Sequence, residues 1–118
     1  MKLKRIDIDA QLDIFMRTGN TTPFSIKENV VKYLKSGLII AFCPTVARDK
    51  YDESKGLAVN NPTTQTDGVW TWSSILIYYL ENYSIPLPDE FISFMVSNSW
   101  AVDKEKAKAI VGLPDLNG

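Results

Sequence analysis

Apolar residues recur every three or four positions along four stretches of the chain, which is the spacing that predicts amphipathic helices. The first stretch opens with Ser25 and Glu28, which match a capping box, and it closes at Gly37. The predicted helices run from Ser25 to Gly37, from Ser73 or Ser74 to Tyr83, from Pro88 to about Asn98, and from Asp103 to Val111. A short helical turn is also expected around Leu12 to Met16.

Four shorter segments have the pattern of strands. Residues 2–9 end in strict alternation and predict an edge strand, whereas the unbroken apolar run at 38–42 predicts a central strand. Residues 56–59 favour a short returning strand, and 69–72 predict a strand with Trp70 and Trp72 on one face. We therefore expect one α+β domain over residues 1–118. It should have a small antiparallel sheet of three to four strands, three to four helices mainly on one face, and a flexible tail from about residue 113.

Composition places this domain among globular proteins, since 45% of its 118 residues are hydrophobic and 23% are charged. No segment approaches the ~20 apolar residues that span a bilayer, and no apolar stretch resembles a secretory signal. Cys43 is the only cysteine, so the chain forms no internal disulfide. We expect a cytoplasmic protein that does not contact membranes.

Charge is divided unevenly along the chain. Residues 1–55 hold ten Lys or Arg and seven acidic residues, whereas residues 56–103 hold no Lys or Arg. The acidic residues of that second segment are Asp67, Glu81, Asp89, Glu90 and Asp103. One interpretation is a largely buried segment that needs few charges. The other is a surface of negative potential that steers a basic partner and repels nucleic acid.

Residue types that usually carry catalysis are scarce. The chain has no histidine, so the commonest general base and metal ligand is missing. Cys43 follows an apolar strand and favours a buried, inert thiol, and no Gly-rich phosphate loop is present. Asp49, Asp52 and Glu53 alternate with basic residues, which is typical of an exposed loop. We expect no enzyme activity, no metal and no cofactor.

Aromatic residues instead indicate a binding surface. Tyr78, Phe94 and Trp100 lie outside the inward stripes of the predicted helices, which makes them candidates for an exposed apolar patch. Together with Trp70 and four acidic residues, they give the predicted partner-binding set: Asp67, Trp70, Tyr78, Glu81, Asp89, Glu90, Phe94 and Trp100.

Three short motifs resemble those of a group of small uncharacterised bacterial proteins. They are Thr66-Asp67-Gly68-Val69-Trp70-Thr71-Trp72, Leu80-Glu81-Asn82-Tyr83 and Leu87-Pro88-Asp89-Glu90-Phe91. The likeness covers roughly residues 30 to 98, although Ser73 stands where the group usually has proline. In size and style the group is similar to immunity proteins of polymorphic-toxin and contact-dependent inhibition systems. The resemblance implies a protein that neutralises a basic cytoplasmic toxin by steric and electrostatic masking.

Other interpretations stay open from the residues alone. Asp67-Gly68 can form a tight turn and the two tryptophans can pack on one sheet face, so the motif also fits a purely structural role. A small-molecule pocket between the Trp-containing strand and the Tyr-rich helix is one alternative function. Self-association through the aromatic patch, as a homodimer or a structural assembly, is another.

Overall fold

The structure is a computed structural model that describes residues 3–112, so the tail predicted from about residue 113 lies outside the described residues. The helices are α1 (Ile8–Thr18), α2 (Phe24–Lys35), α3 (Ser74–Tyr83), α4 (Asp89–Ser97) and α5 (Lys104–Val111). The strands are β1 (Lys4–Arg5), β2 (Leu38–Phe42), β3 (Val46–Arg48), β4 (Leu57–Asn60), β5 (Thr63–Thr66) and β6 (Trp70–Ser73). A short 3-10 helix spans Glu53–Lys55. The α+β prediction is confirmed, but residues 3–112 form five α-helices rather than three to four, because the turn expected around Leu12 to Met16 is the 11-residue helix α1.

The main sheet has the strand order β1-β6-β5-β2 and is mixed. Strand β1 runs parallel to β6, with Lys4 opposite Trp70, while the other pairs are antiparallel. The expectation of a wholly antiparallel sheet is wrong at this strand, because helices lie between β1 and β6 and carry the chain back to the same end. The strand predicted over residues 2–9 is also too long, since Asp7 caps α1 by accepting a hydrogen bond from the Ala10 amide at 3.2 Å.

Strand β2 lies at the edge of the sheet, so the prediction of a central strand is wrong. Among the strands of residues 3–112 it pairs with β5, and its burial falls along its length from the fully buried Leu38 to the exposed Phe42. The first residues of this apolar run therefore pack in the core, whereas its last residues are exposed.

Of the four predicted helix starts, two are confirmed and the one at Ser25 is wrong. The start at Pro88 is one residue early, since Pro88 is the N-cap and α4 begins at Asp89. Ser73 caps α3 by accepting from the Ile75 amide at 3.1 Å, and Asp103 caps α5. The capping box at Ser25 does not form, because α2 begins directly after Pro23 and no side chain caps it. None of the helices within residues 3–112 is long and apolar enough to cross a membrane.

The core lies between the main sheet and helices α2, α3 and α4. Trp70 and Trp72 point to the same face, as predicted, and both contact the Phe91 ring of α4 at centroid distances of 4.9 and 5.4 Å. Tyr33 and Leu34 of α2 are fully buried against this aromatic group. Both tryptophans therefore belong to the framework that holds the sheet to the helices.

A bent β-hairpin leaves the sheet beyond β2 and β5. Its distal strands β3 and β4 pair with each other in a separate two-stranded sheet, and we call residues 43–61 the arm. Backbone hydrogen bonds hold the bend, from the Cys43 amide to Pro62 and from the Asn61 amide to Thr45, both at 2.8 Å. The arm folds back over the molecule and its β4 strand packs against α3.

Candidate functional site

The tip of the arm is fixed by a single buried carboxylate. Asp49 is only 1% exposed, and its Oδ2 accepts hydrogen bonds from the hydroxyls of Tyr78 and Tyr83 on α3, each at 2.6 Å. Its Oδ1 accepts from the backbone amides of Tyr51 and Asp52 at 2.8 and 2.7 Å. Asp49 therefore ties the loop to itself and to α3, and the expectation of a wholly exposed loop is wrong at this residue.

These contacts stabilise the charged form of Asp49. Burial alone would raise the pKa of its carboxyl, but the hydrogen bonds from Tyr78, Tyr83 and the two amides outweigh burial and lower the pKa to about 2. The hydrogen bond to this carboxylate, together with burial, raises the pKa of Tyr78 to about 12. Burial and the same carboxylate also raise the pKa of Tyr83 well above its usual range.

Further contacts hold the arm on the opposite side of its tip. The Lys50 amide donates to the Tyr79 hydroxyl at 2.7 Å, and the Lys50 ammonium lies 2.8 Å from a carboxylate oxygen of Asp9 on α1. The ring of Tyr51 lies 5.4 Å from that of Phe15, also on α1. The arm is thus attached at both ends, to the sheet at its bend and to α1 and α3 at its tip.

A cleft of about 1180 Å³ lies beneath the arm. Its walls come from the start of α1, the strands β3, β5 and β6, and the first turns of α3. The polar lining includes four threonines and one serine, Thr45, Thr63, Thr64, Thr71 and Ser73, and five charged side chains, Arg5, Asp7, Asp9, Arg48 and Lys50. The cleft lies between the Trp-containing strand and the Tyr-rich helix, where the small-molecule alternative places a pocket.

The exposed surface of the arm is unusually apolar. Seven large hydrophobic side chains are exposed among residues 3–112, and four of them lie on the arm or at its start: Phe42, Val46, Tyr51 and Leu57. Isolated exposed apolar residues are ordinary, but their concentration on one small element indicates a contact surface. We call these four residues the arm surface.

Asp67, the first residue of the predicted partner-binding set, lies in the turn between β5 and β6 and is 8% exposed. Its Oδ1 accepts from the amides of Val69 and Trp70, and its Oδ2 accepts from the Tyr33 hydroxyl at 2.6 Å. Both oxygens are therefore used inside the protein. Trp70 is 7% exposed and stacks on Phe91, so the structure places both residues in the framework.

Two of the four acidic residues of the set lie beside lysines from the first half of the chain. Glu81 forms an ion pair with Lys35 at 3.2 Å, and Glu90 lies 3.9 Å from Lys4. Asp89 is exposed in the first turn of α4. The absence of basic residues from the sequence segment 56–103 therefore does not produce a surface of one sign, because folding brings lysines to it.

The aromatic residues of the set are less exposed than expected. Tyr78, Phe94 and Trp100 are all half-buried and pack against the core. Tyr78 donates to Asp49 of the arm, whereas Phe94 lies on α4 and the Trp100 amide donates to Met95 at the end of that helix. Lys4 does bring two members together, since its ammonium lies 5.2 Å from the Trp70 ring centroid and beside Glu90.

Within residues 3–112, no three His, Cys, Asp or Glu side chains are grouped so that they could hold a metal ion. The Cys43 thiol, expected to be buried, is exposed at the bend of the arm and lines the cleft. Comparison with protein-family models, with curated proteins and with solved structures finds no match. The resemblance to immunity proteins therefore stays a prediction.

Sequence reasoning missed the Asp49 cluster. Asp49 has the sequence context of a solvated loop, and nothing in that context indicates the two tyrosines about thirty residues later. A signal was present on α3, because Tyr78, Tyr79 and Tyr83 give this apolar helix three hydroxyls that need partners. The structure supplies them with Asp49, the Lys50 amide and the Arg48 carbonyl.

Proposed function

We propose that this protein is a cytoplasmic immunity protein, which binds a toxin protein and neutralises it, and that the arm surface makes the central contact. The observation that carries the proposal is the concentration of exposed apolar side chains on a two-stranded arm whose tip is fixed. The likeness of residues 30 to 98 to small bacterial proteins of immunity-protein style gives the partner's class.

Fixing the arm before binding favours a tight complex. A free hairpin would lose conformational freedom when it docked, and this loss would subtract from the binding free energy. Here the Asp49 hydrogen bonds already hold the tip, so the arm surface is presented without that cost. The backbone of β3 and β4 also has outer edges that pair with no strand of the described residues, and such edges can accept a partner strand.

Charge contributes less than the sequence suggests. Glu81 and Glu90 are each next to a lysine, and Asp67 is internal, so negative potential alone is a weak basis for selecting a basic toxin. We therefore expect mainly steric masking, in which apolar contacts of Phe42 and Leu57 anchor the complex.

Co-expression with the open reading frame immediately upstream tests this proposal, with cell survival as the readout. The parent protein should protect the cells, whereas Phe42→Asp and Leu57→Asp should each lose protection and weaken binding at least about tenfold, which corresponds to ~1.4 kcal/mol. Phe24→Asp is the matched control, because Phe24 is 95% exposed but lies at the start of α2. It should protect like the parent.

Two results would contradict the proposal. One is an adjacent gene product that is not toxic. The other is full protection by both arm variants, which would remove the arm surface from the interface. Charge reversal at Glu81 or Glu90 distinguishes the mechanisms, since a larger loss from these variants than from Phe42→Asp would favour electrostatic masking through α3 and α4.

A further inference from the structure

The charges that line the cleft beneath the arm do not cancel. Three basic and two acidic side chains contribute to the lining. Lys50 is paired with Asp9 at 2.8 Å, and Asp7 uses its carboxylate to cap α1. Within residues 3–112, no carboxylate forms an ion pair with the guanidinium of Arg5 or Arg48. The lining therefore carries one more positive than negative charge, and neither arginine is in an ion pair within the described part of the chain.

Hydroxyl groups add hydrogen-bond donors to the same cleft. Thr64 and Ser73 are paired across β5 and β6, and both line the cleft. Thr71 of β6 also lines it, but its hydroxyl donates to the Gln65 carbonyl at 2.9 Å. The Ser73 oxygen accepts the Ile75 amide, which leaves its own hydroxyl hydrogen able to donate. The opposite face of these strands carries Gln65 and Trp72, which pack inward. The polar face of the sheet is therefore directed at the cleft.

From this arrangement we propose that the cleft binds a small ligand through an oxyanion, a phosphate or carboxylate group held by Arg5 and Arg48. Guanidinium groups match the planar geometry of both anions and form paired hydrogen bonds to them. The hydroxyls of Thr64 and Ser73 bind the remaining ligand oxygens, while Ile6, Ile75 and Tyr79 form the apolar part of the wall. Small-molecule sites combine apolar walls with polar groups that fix the ligand's orientation, and this cleft supplies both.

This inference is independent of the proposed function. Val46 of the arm surface lines the cleft, but Phe42 and Leu57 do not, so variants of these two residues test toxin binding separately from ligand binding.

Titration of the isotope-labelled protein with pyrophosphate, citrate and the uncharged sugar glucose tests the proposal by amide chemical shifts. Pyrophosphate or citrate should bind saturably and shift the amides of Thr64, Thr71 and Ser73, whereas glucose should not. Binding of pyrophosphate alone identifies a phosphorylated ligand, and binding of citrate alone identifies a carboxylate ligand. The double variant R5Q/R48Q should weaken binding at least about tenfold.

Arg17→Gln is the matched control, because Arg17 is an exposed arginine of α1 that pairs with Asp13 outside the cleft. It should bind like the parent protein. If loss of the Arg5 side chain perturbs the pairing of β1, the single variant Arg48→Gln tests the proposal instead, because Arg48 is exposed. Absence of saturable binding by both anions would overturn the proposal, as would shifts that map away from the cleft or an affinity unchanged by Arg48→Gln.

Discussion

Replacing Asp49 by alanine should release the arm. The variant loses the acceptor of four hydrogen bonds, two of which cross from the arm to Tyr78 and Tyr83. A hydrogen bond to a charged group contributes about 1.5–3 kcal/mol. Both tyrosines are half-buried, so water can replace the lost carboxylate and the lower end of that range applies to the two crossing bonds. We expect the free energy of unfolding to fall by about 3 kcal/mol, a large part of the 5–15 kcal/mol that is typical of a domain.

Urea unfolding followed by tryptophan fluorescence measures this loss, because Trp70 and Trp72 lie in the core rather than in the arm. If the arm already detaches in the folded variant, less surface remains to be exposed on unfolding, so the slope of free energy against urea should decrease as well. Amide hydrogen exchange at Tyr51 and Asp52 should accelerate, since both amides lose their acceptor.

Glu53→Ala is the matched control, because Glu53 is an exposed carboxylate of the same loop. It should change stability by no more than about 0.5 kcal/mol. An Asp49→Ala variant as stable as this control, with unchanged exchange at Tyr51, would refute the view that the buried carboxylate holds the arm.

The same carboxylate gives stability a defined acid dependence. The pKa of Asp49 is about 2 in the folded protein, below the value of about 4 for an unfolded aspartate. Its contribution is therefore complete above about pH 4 and is lost as the pH falls towards 2. Urea midpoints measured across this range should fall more steeply for the parent protein than for Asp49→Asn, which does not titrate.

Three further predictions concern other parts of the framework. Tyr78 has a pKa raised to about 12, so stability should decline as the pH rises from about 10 towards 12, with tyrosinate absorbance appearing late in the folded protein. Gly37→Ala would place a Cβ 2.5 Å from Cζ2 of Trp72, and this overpacking should cost about 1–3 kcal/mol in thermal unfolding. Tyr33→Phe removes the 2.6 Å hydrogen bond to Asp67 and should destabilise the protein by about 1–3 kcal/mol in urea without weakening partner binding.

Controls separate these effects from general disturbance. Gly19→Ala has open space around the new Cβ but a φ of 72°, so it measures backbone strain without overpacking. Tyr51→Phe removes a tyrosine hydroxyl from an exposed ring and should leave stability nearly unchanged. A Gly37→Ala variant as stable as the parent, or a Tyr33→Phe loss no larger than that of Tyr51→Phe, would contradict the packing described here.

Local patterns in the sequence predict the helices well, because capping and apolar periodicity act over a few residues. Ser73 and Asp103 cap the helices that they were expected to begin, and Trp70 and Trp72 share one face. The order of strands in the sheet depends on pairing between segments that are far apart in the sequence. The apolar pattern of β2 predicted a central strand, but such a pattern does not show which strands lie beside it.

The candidate site likewise depends on contacts between distant residues, which patterns in the sequence do not predict. Asp49 is buried only because the arm folds back onto α3, and its bonding partners are about thirty positions away along the chain. Segment 56–103 contains acidic residues but no basic ones. The lysines that pair with Glu90 and Glu81 are Lys4 and Lys35, which come from the first half of the chain. Charge read along the chain therefore differs from charge arranged in space.

The parallel pairing of β1 with β6 sets an order of events during synthesis. Lys4 and Arg5 leave the ribosome first among the strands, yet their partner strand is complete only when Ser73 has been made. Contacts between residues this far apart in the sequence form slowly, and β1 stays unpaired until β6 has been synthesised. The bent hairpin from β2 to β5 can form before β6 has been made. Strand β1, the first strand of this sheet to be synthesised, is therefore the last to join it.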